Sequence, residues 1–387
     1  MSPFALILIG AAVPASAQPP CELRGKAWLE GRVLGSAQPP RNPVDARLGE
    51  EIEVFVAASG HLGGKPVTFS ESDARGRVSW LRSGCGPLQV TWRRVEPRME
   101  HVTTPAPNAQ AQVYANAVVF GPSHGKWLGF DRIEYVETPI EGAAPILRVR
   151  DARPSPVTGI ERSPALSPLG VMRLAATLCA AGQCLSTPDA KDAPEGLISE
   201  RVFRYTFRDG DGFVGWLTSF FNVPYLFGSA GAGARSQAER YLGADCADIL
   251  VAALRRAGRS DLAYTSVAEL VGRLERVAGP AEVRPCAPSQ GPCAALAQPP
   301  LRFGRDVRPG DLIALDYLDD SGQLPRAWDH IVALIEDRGP DGTPDGLLGA
   351  DDLVADSGDA QGLKFAPLGE QGAVRMEILR AHGVPLR

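Results

Sequence analysis

The chain has 387 residues, of which 44% are hydrophobic and 22% are charged. At ~100–200 residues per domain, this length predicts two or three domains that bury hydrophobic cores. The net charge of −5 provides no basic surface, so neither nucleic acid nor an anionic membrane is expected as a partner.

The first 17 residues predict a secretory signal peptide. Residues 4–13 are apolar, Pro14 breaks the run, and Ala15-Ser16-Ala17 provides the small residues of a cleavage site. The segment has no Lys or Arg before the apolar run, so a buried strand or an incorrect start site is the alternative. No later segment reaches the roughly 18 apolar residues of a transmembrane helix. We therefore expect an exported protein, periplasmic or extracellular, whose mature chain has no membrane anchor.

Residues 18–202 predict an all-β, sandwich-like region of one or two small domains. Short apolar or alternating runs are separated by Gly, Pro, Asn and Asp, which is typical of sandwiches and barrels. No helix is predicted before residue 204, and residues 152–168 form either a linker or a long loop. The predicted strands are 51–57, 78–81, 88–92, 112–120, 131–136 and 146–149, followed by a second β segment over 171–187 that includes a turn between Cys179 and Cys184.

Residues 203–387 predict an α+β domain, with helices first and an antiparallel sheet afterwards. Helices are expected over 213–221, 246–256 and 267–277. For the second of these, Asp245 is a natural N-cap, while Arg255 and Arg256 occupy the last turn. The predicted strands are 311–315, 330–335, 352–355 and 374–379.

Seven cysteines in an exported chain predict disulfides, and six of them fall into three pairs. Two pairs flank short turns or loops, and the third remains in the N-terminal region. The expected disulfides are Cys179–Cys184, Cys286–Cys293 and Cys21–Cys85, although other pairings are possible. This arithmetic leaves Cys246 unpaired, and an unpaired thiol in an oxidising compartment is expected to be buried or reactive.

Cys246 is the predicted nucleophile because it begins the helix over 246–256. A thiol attacks only as the thiolate, and both a helix N-terminus and a nearby imidazole favour that form. The alternative is a buried structural cysteine. The flanking Asp245 and Asp248 argue against this alternative, because acidic residues are rarely found in a buried apolar environment.

His330 is the predicted base among five histidines, because it begins an apolar strand in the same half of the chain. His382 lies near the end of the chain, where segments fray. A third group must orient the imidazole, and Asp356 is the first choice, with Asp329 and Ser357 as rivals. The cysteine spacings do not resemble zinc sites and no histidines cluster, so metal catalysis is not expected.

These residues make the second half similar to the NlpC/P60 superfamily of papain-like cysteine hydrolases. Three motifs occur in the family order: the segment 224–228 (PYLFG), the Asp245-Cys246 helix start, and the segments 308–313 (RPGDLI) and 330–335 (HIVALI). The resemblance implies a helix that carries Cys packed on an antiparallel sheet that carries His, and cleavage of cell-wall peptides without a cofactor. It also implies that Tyr225 positions the substrate. Asp245 and Asp248, beside the nucleophile, are the other residues expected to contact the substrate.

The sequence departs from the family pattern at two places. Ala247-Asp248 replaces the usual Ser-Gly after the nucleophile, and Asp356 stands where the family has His, Asn or Gln. An insertion over 337–351 precedes Asp356. It weakly resembles a calcium loop but has Leu348 at the closing position, where calcium binding needs a carboxylate.

The sequence therefore predicts an exported cysteine hydrolase that cleaves an amide bond in peptidoglycan stem peptides through a thioester on Cys246. The alternatives are an amidase or acyltransferase with another substrate, or a degenerate domain that only binds cell wall. All predicted catalytic residues follow residue 203, so we expect the N-terminal region to be dispensable for chemistry on a small peptide. The oligomeric state is not predicted.

Overall fold

The computed structural model describes residues 21–100, 132–160, 162–180, 182–192, 198–226, 236–282, 300–318, 328–359 and 362–386. The predicted signal peptide and the predicted strand 112–120 lie outside these ranges. Within them, the chain forms three sheets and three α-helices, and strands far outnumber helices. No helix in this part of the chain is long and apolar enough to cross a membrane.

The first sheet has five strands, with β3 (Ile52–Leu62) at its centre. On one side β3 pairs with β1 (Cys21–Val33). Its other edge is divided between β4 (Lys65–Ser70) and β8 (Ile146–Val149), which pair with opposite ends of the strand. The short β5 (Arg77–Val78) runs parallel to β4.

The second sheet has six strands, with the almost fully buried β9 (Gly170–Ala180) at its centre. Its strand order is β2-β11-β9-β6-β7, and β10 pairs with the end of β9. The strand β11 pairs antiparallel with β9 and parallel with β2, which makes the sheet mixed. The strands around β9 are β2 (Val44–Arg47), β6 (Gln89–Glu100), β7 (Arg132–Pro139), β10 (Gln183–Ser186) and β11 (Phe203–Arg208).

The two sheets share one hydrophobic core, and we call the strands β1–β11 the β region. Leu29 and Val54 of the first sheet are buried in the same cluster as Trp92, Leu174 and Tyr205 of the second. Alternation along each strand directs these side chains to one face, so the core lies between the sheets.

Two of the three expected disulfides are present. Cys21, the first residue of β1, is bonded to Cys85, and Cys179 is bonded to its opposite residue Cys184 in the β9–β10 hairpin. Cys286 and Cys293 lie outside the described residues.

The third sheet is antiparallel throughout and follows the β region in the chain. Its order is β12-β17-β13-β14-β15-β16, and α2 packs on its central strands through a core that includes Ile249, Leu250 and Ile331. We call the chain after residue 208 the helix–sheet region. Its elements are α1 (Phe213–Thr218), α2 (Cys246–Arg256), α3 (Val267–Val271), β12 (Glu275–Glu282), β13 (Leu312–Asp316), β14 (His330–Glu336), β15 (Leu353–Asp359), β16 (Gly362–Pro367) and β17 (Arg375–Arg380).

Three predicted elements differ in the structure. The helix predicted over 267–277 ends at Val271, and the residues from Glu275 onward form β12 because they complete the sheet edge beside β17. The helix predicted over 213–221 ends at Thr218. The strand predicted over 78–81 is confined to β5, because Trp80 turns into the core and packs on Phe69 at a ring distance of 4.8 Å.

The two regions are continuous across the boundary expected at residue 203. The strand β11 lies just after that position and completes the second sheet. Asn222, in a left-handed conformation with φ 69°, donates its amide to the carbonyl oxygens of Ala152 and Val171, both at 2.9 Å. The backbone N–H of Val171 donates to Phe221 at 2.8 Å. Because these contacts are buried, the helix–sheet region depends on the β region for part of its packing.

Candidate active site

Cys246 occupies the first position of α2, with its side chain only 8% exposed. Asp245 is the N-cap, as predicted, and its carboxylate accepts the backbone N–H of Asp248 at 2.9 Å. Among the described residues, Cys246 is the only cysteine outside a disulfide. The sulfur therefore lies at the positive end of the helix dipole, where a thiolate is favoured.

His330 is the first residue of β14, opposite Leu315 of β13. Its Nε2 lies 2.8 Å from Oδ1 of Asp356 on the neighbouring strand β15. A carboxylate can only accept, so Nε2–H donates and the tautomer is set. The imidazole also interacts with Cys246, whose charge acts on its pKa. Since Nε2 is taken by Asp356, Nδ1 is the nitrogen that can exchange a proton with the thiol.

The charges around His330 favour its protonated form. Burial alone would lower the pKa of the imidazole, but the negative charge of Cys246 and the hydrogen bonds to Asp356 and Cys246 outweigh burial. Together they raise the pKa of His330 from 6.5 to about 10. His330 is therefore an imidazolium at neutral pH, and a neighbouring imidazolium is one of the features that activate a cysteine nucleophile.

Asp356 remains ionised in this environment. Burial would raise the pKa of its carboxyl group, but the hydrogen bond and charge of His330 and the charge of Lys364 lower it overall. The Nζ of Lys364 lies 3.8 Å from Oδ2, and Nε2 of Gln371 donates to the same oxygen at 3.4 Å. Sequence reasoning missed both residues. Lys364 is the register partner of Asp356, a relation that is visible only once the β15–β16 hairpin is known.

The other residues considered for the orienting role are placed differently. Asp329 is exposed, and its carboxylate accepts the backbone N–H of Tyr317 at 3.2 Å. The Oγ of Ser357 is buried without a hydrogen-bond partner in the described part of the chain. His382 forms an ion pair with Glu275, at the opposite edge of the sheet from β15. Of these groups, Asp356 is the one in contact with the imidazole.

Tyr225 is held beside the nucleophile by backbone pairing. Leu226 N–H donates to Ala244 O at 3.2 Å, and Ala244 N–H donates to Pro224 O at 3.1 Å, immediately before Asp245. This close approach requires a glycine at 243, because a Cβ there would lie 2.2 Å from Leu226 Cδ1. The PYLFG motif is thereby brought next to Cys246, although its last two residues lie outside the described ranges.

The phenol of Tyr225 stays protonated. Burial raises its pKa most, and the negative charges of Cys246 and Asp245 raise it further, with smaller contributions from Asp356 and Asp248. A protonated phenol is a hydrogen-bond donor at neutral pH. Asp248, predicted to contact the substrate, is buried in the first turn of α2.

Tyr317 is a second tyrosine at the site, and sequence reasoning missed it. Its ring centroid lies 6.4 Å from that of His330. Burial, followed by the charges of Asp356 and Cys246, raises its pKa, so it also remains a donor. It belongs to no motif, and only its position just after β13, the strand that pairs with His330, relates it to the site.

Another tyrosine links α2 to the β region. Tyr241 adopts a left-handed φ of 56° and stacks on Phe220 with ring centroids 4.5 Å apart. The guanidinium groups of Arg204 on β11 and Arg256 in the last turn of α2 lie 4.3 Å and 4.8 Å from its ring centroid. The helix that carries Cys246 is therefore fixed against a strand of the second sheet.

Comparisons of this chain with models of known families, with curated proteins and with solved structures find no match. Within the described ranges, no group of three or more His, Cys, Asp or Glu side chains is arranged to hold a metal ion.

Proposed function

We propose that the chain is an exported cysteine hydrolase that cleaves an amide bond through a thioester on Cys246. The observation that carries the proposal is the position of His330, which contacts Cys246 at a helix N-terminus and Asp356 at 2.8 Å. Each group has a distinct role in that arrangement: nucleophile, acid and base, and orienting carboxylate. The two disulfides are compatible with export.

The reaction begins when the thiolate of Cys246 attacks the amide carbonyl carbon and the carbonyl π electrons move to oxygen. The N–H groups of the first turn of α2 and the Tyr225 phenol are suited to stabilise this oxyanion. Collapse of the intermediate breaks the C–N bond, and the imidazolium of His330 protonates the leaving amine. The neutral imidazole then takes a proton from water, which attacks the thioester and releases the acid and the thiolate.

The proposed fold relationship is to the papain-like NlpC/P60 hydrolases, and the proposed substrate is a peptidoglycan stem peptide. The packing of α2 on an antiparallel sheet, one central strand of which begins with His330, supports the relationship, as do the ordered motifs. Asp356 also fits this relationship, because it lies on the strand after the histidine strand. The family has its third catalytic residue on the corresponding strand.

Digestion of purified sacculi tests the proposal. Wild type should release peptides with new termini, identified by mass spectrometry, whereas Cys246→Ala should release none. A thiol-reactive probe should label Cys246 of the wild type, and labelling should fall at low pH as the thiolate is protonated. Sacculus binding by wild type without new termini, at any pH, would contradict a hydrolase and favour a binding protein.

A further inference from the structure

A cavity of about 350 Å³ lies between the segment before β9 and the outer strands of the third sheet. This volume is within the range of ~300–1,000 Å³ that is usual for small-ligand sites. Apolar side chains, among them Phe221, Leu363 and Phe365, form much of its wall. Both regions of the chain contribute to it, and none of the residues assigned to the chemistry lines it.

The polar part of this cavity is cationic. Arg162 comes from the β region, whereas Arg338 and Lys364 come from the helix–sheet region. No acidic side chain is among the described residues that line it. Arg338 has a carboxylate partner outside the cavity lining, Glu336 at 3.0 Å. The site therefore presents more positive than negative charge to any molecule inside it.

Arg162 is the residue whose bonding is incomplete. Its guanidinium lies over the Phe221 ring at 4.4 Å, and Nη1 makes one long hydrogen bond of 3.4 Å to Leu169 O. Nη2 is buried and has no hydrogen-bond partner, and no ion pair to Arg162 occurs in the described part of the chain. Burial lowers its pKa to about 9, which leaves it charged at neutral pH. A buried, unpaired N–H of a cation is costly unless an anion satisfies it.

We propose that this cavity binds the carboxylate of a small organic acid, with Arg162 as the anchor. The planar guanidinium can donate two parallel hydrogen bonds to a carboxylate, and the aromatic wall would cover the apolar body of the ligand. The carboxylate could belong to the substrate itself or to a separate acid. Lys364 lines the cavity and lies 3.8 Å from Asp356, so the cavity adjoins the proposed active site.

Calorimetric titration of the full-length protein tests the proposal, with 3-phenylpropionate as the probe and 3-phenylpropionamide as its neutral match. The acid should bind, and the amide should bind at least about tenfold more weakly, as expected when a charged hydrogen bond is lost. Arg162→Gln should weaken acid binding by a similar factor and leave amide binding unchanged. Arg162→Lys should give an intermediate loss, because it keeps the charge without the planar pair of donors.

Arg150→Gln is the matched control, because Arg150 is 77% exposed and is not among the residues that line the cavity. It should bind the acid like wild type. Thermal melting establishes that each variant is folded. Equal affinity for acid and amide in the wild type, or unchanged acid binding in folded Arg162→Gln, would overturn the proposal.

Two further measurements distinguish the source of the carboxylate and separate this proposal from the hydrolase assignment. The titration is repeated with Cys246→Ala, which should bind the acid normally, so a failure of the hydrolase assignment leaves the binding result intact. If the carboxylate belongs to the substrate, Arg162→Gln should raise KM for released peptides with little change in kcat. If it belongs to a separate acid, KM should be unchanged while binding of 3-phenylpropionate is lost.

Discussion

Replacement of Cys246 by alanine should lower the pKa of His330. In the wild type the negative charge at Cys246 is the largest factor that favours the imidazolium, and hydrogen bonds to Asp356 and Cys246 add to it. Alanine removes the charge and one hydrogen bond at once, while burial, which opposes protonation, remains. The His330–Asp356 contact should survive the substitution, because it joins two strands of the sheet and not the helix.

The size of the expected pKa change follows from the same charges and hydrogen bonds around His330. A pKa raised from 6.5 to about 10 corresponds to on the order of 5 kcal/mol in favour of the imidazolium. Because Cys246 supplies the largest favourable contribution and one of the hydrogen bonds, the pKa of His330 should fall measurably in Cys246→Ala. The stability that the wild-type pair contributes is fully present below about pH 6.5 and is lost as the pH rises through about 10.

The assay is an NMR titration of the histidine side chains in both proteins. The His382 resonance is the internal control, because its partner Glu275 is unaffected by the substitution. A His330 pKa that is the same in wild type and Cys246→Ala would refute a thiolate–imidazolium pair. The same result would remove the main support for Cys246 as the nucleophile.

Three further predictions follow from the site and its packing. Turnover of His330→Ala should fall by ~10²–10⁴-fold, because the histidine transfers protons. Turnover of Asp356→Ala should fall by less, because the aspartate only orients the histidine. The reverse order in steady-state assays would contradict these roles. A chain that starts at residue 200 should not fold, because β11 would lose its pairing with β9 and β2. A cooperative thermal melt of this chain, followed by circular dichroism, would refute this. Gly243→Ala should lower the free energy of unfolding in urea by about 1–3 kcal/mol, because the added Cβ would overlap Leu226. An unchanged unfolding midpoint would contradict that packing.

The element that carries the nucleophile could be predicted to the residue. The helix Cys246–Arg256 has apolar residues at helical spacing, an acidic N-cap and two arginines in its last turn, and all of these signals agree. The strands around His330 and Asp356 were also predicted, within one residue at their starts. Such segments are predictable because local signals and burial favour the same structure.

The errors occurred where distant pairing decides the structure. The segment Glu275–Glu282 has no strong strand pattern, and its conformation is set by pairing with β17, about a hundred residues later. The strand β1 was missed because a bulge between Leu23 and Ala27 interrupts its pattern and because its buried residues include the charged Glu30.

The relation between the two regions was also beyond sequence reasoning. Local patterns changed near residue 203, which suggested a boundary there, yet β11 belongs to the second sheet. The expectation that the N-terminal region is dispensable therefore conflicts with the buried contacts of Asn222 and Val171. A change in pattern marks a change in secondary structure, but it does not indicate which parts of a chain share a core.

The disulfide Cys21–Cys85 closes a span of 64 residues in the β region. Loss of such a bond typically removes about 2–5 kcal/mol, a large part of the stability of a domain. Because the β region shares buried contacts with the chain that carries Cys246, that loss would extend to the reactive thiol. Under the proposed export, a newly synthesised chain in a reducing compartment is therefore expected to be less stable than the oxidised protein. Formation of this bond outside that compartment would then stabilise the region on which the proposed active site packs.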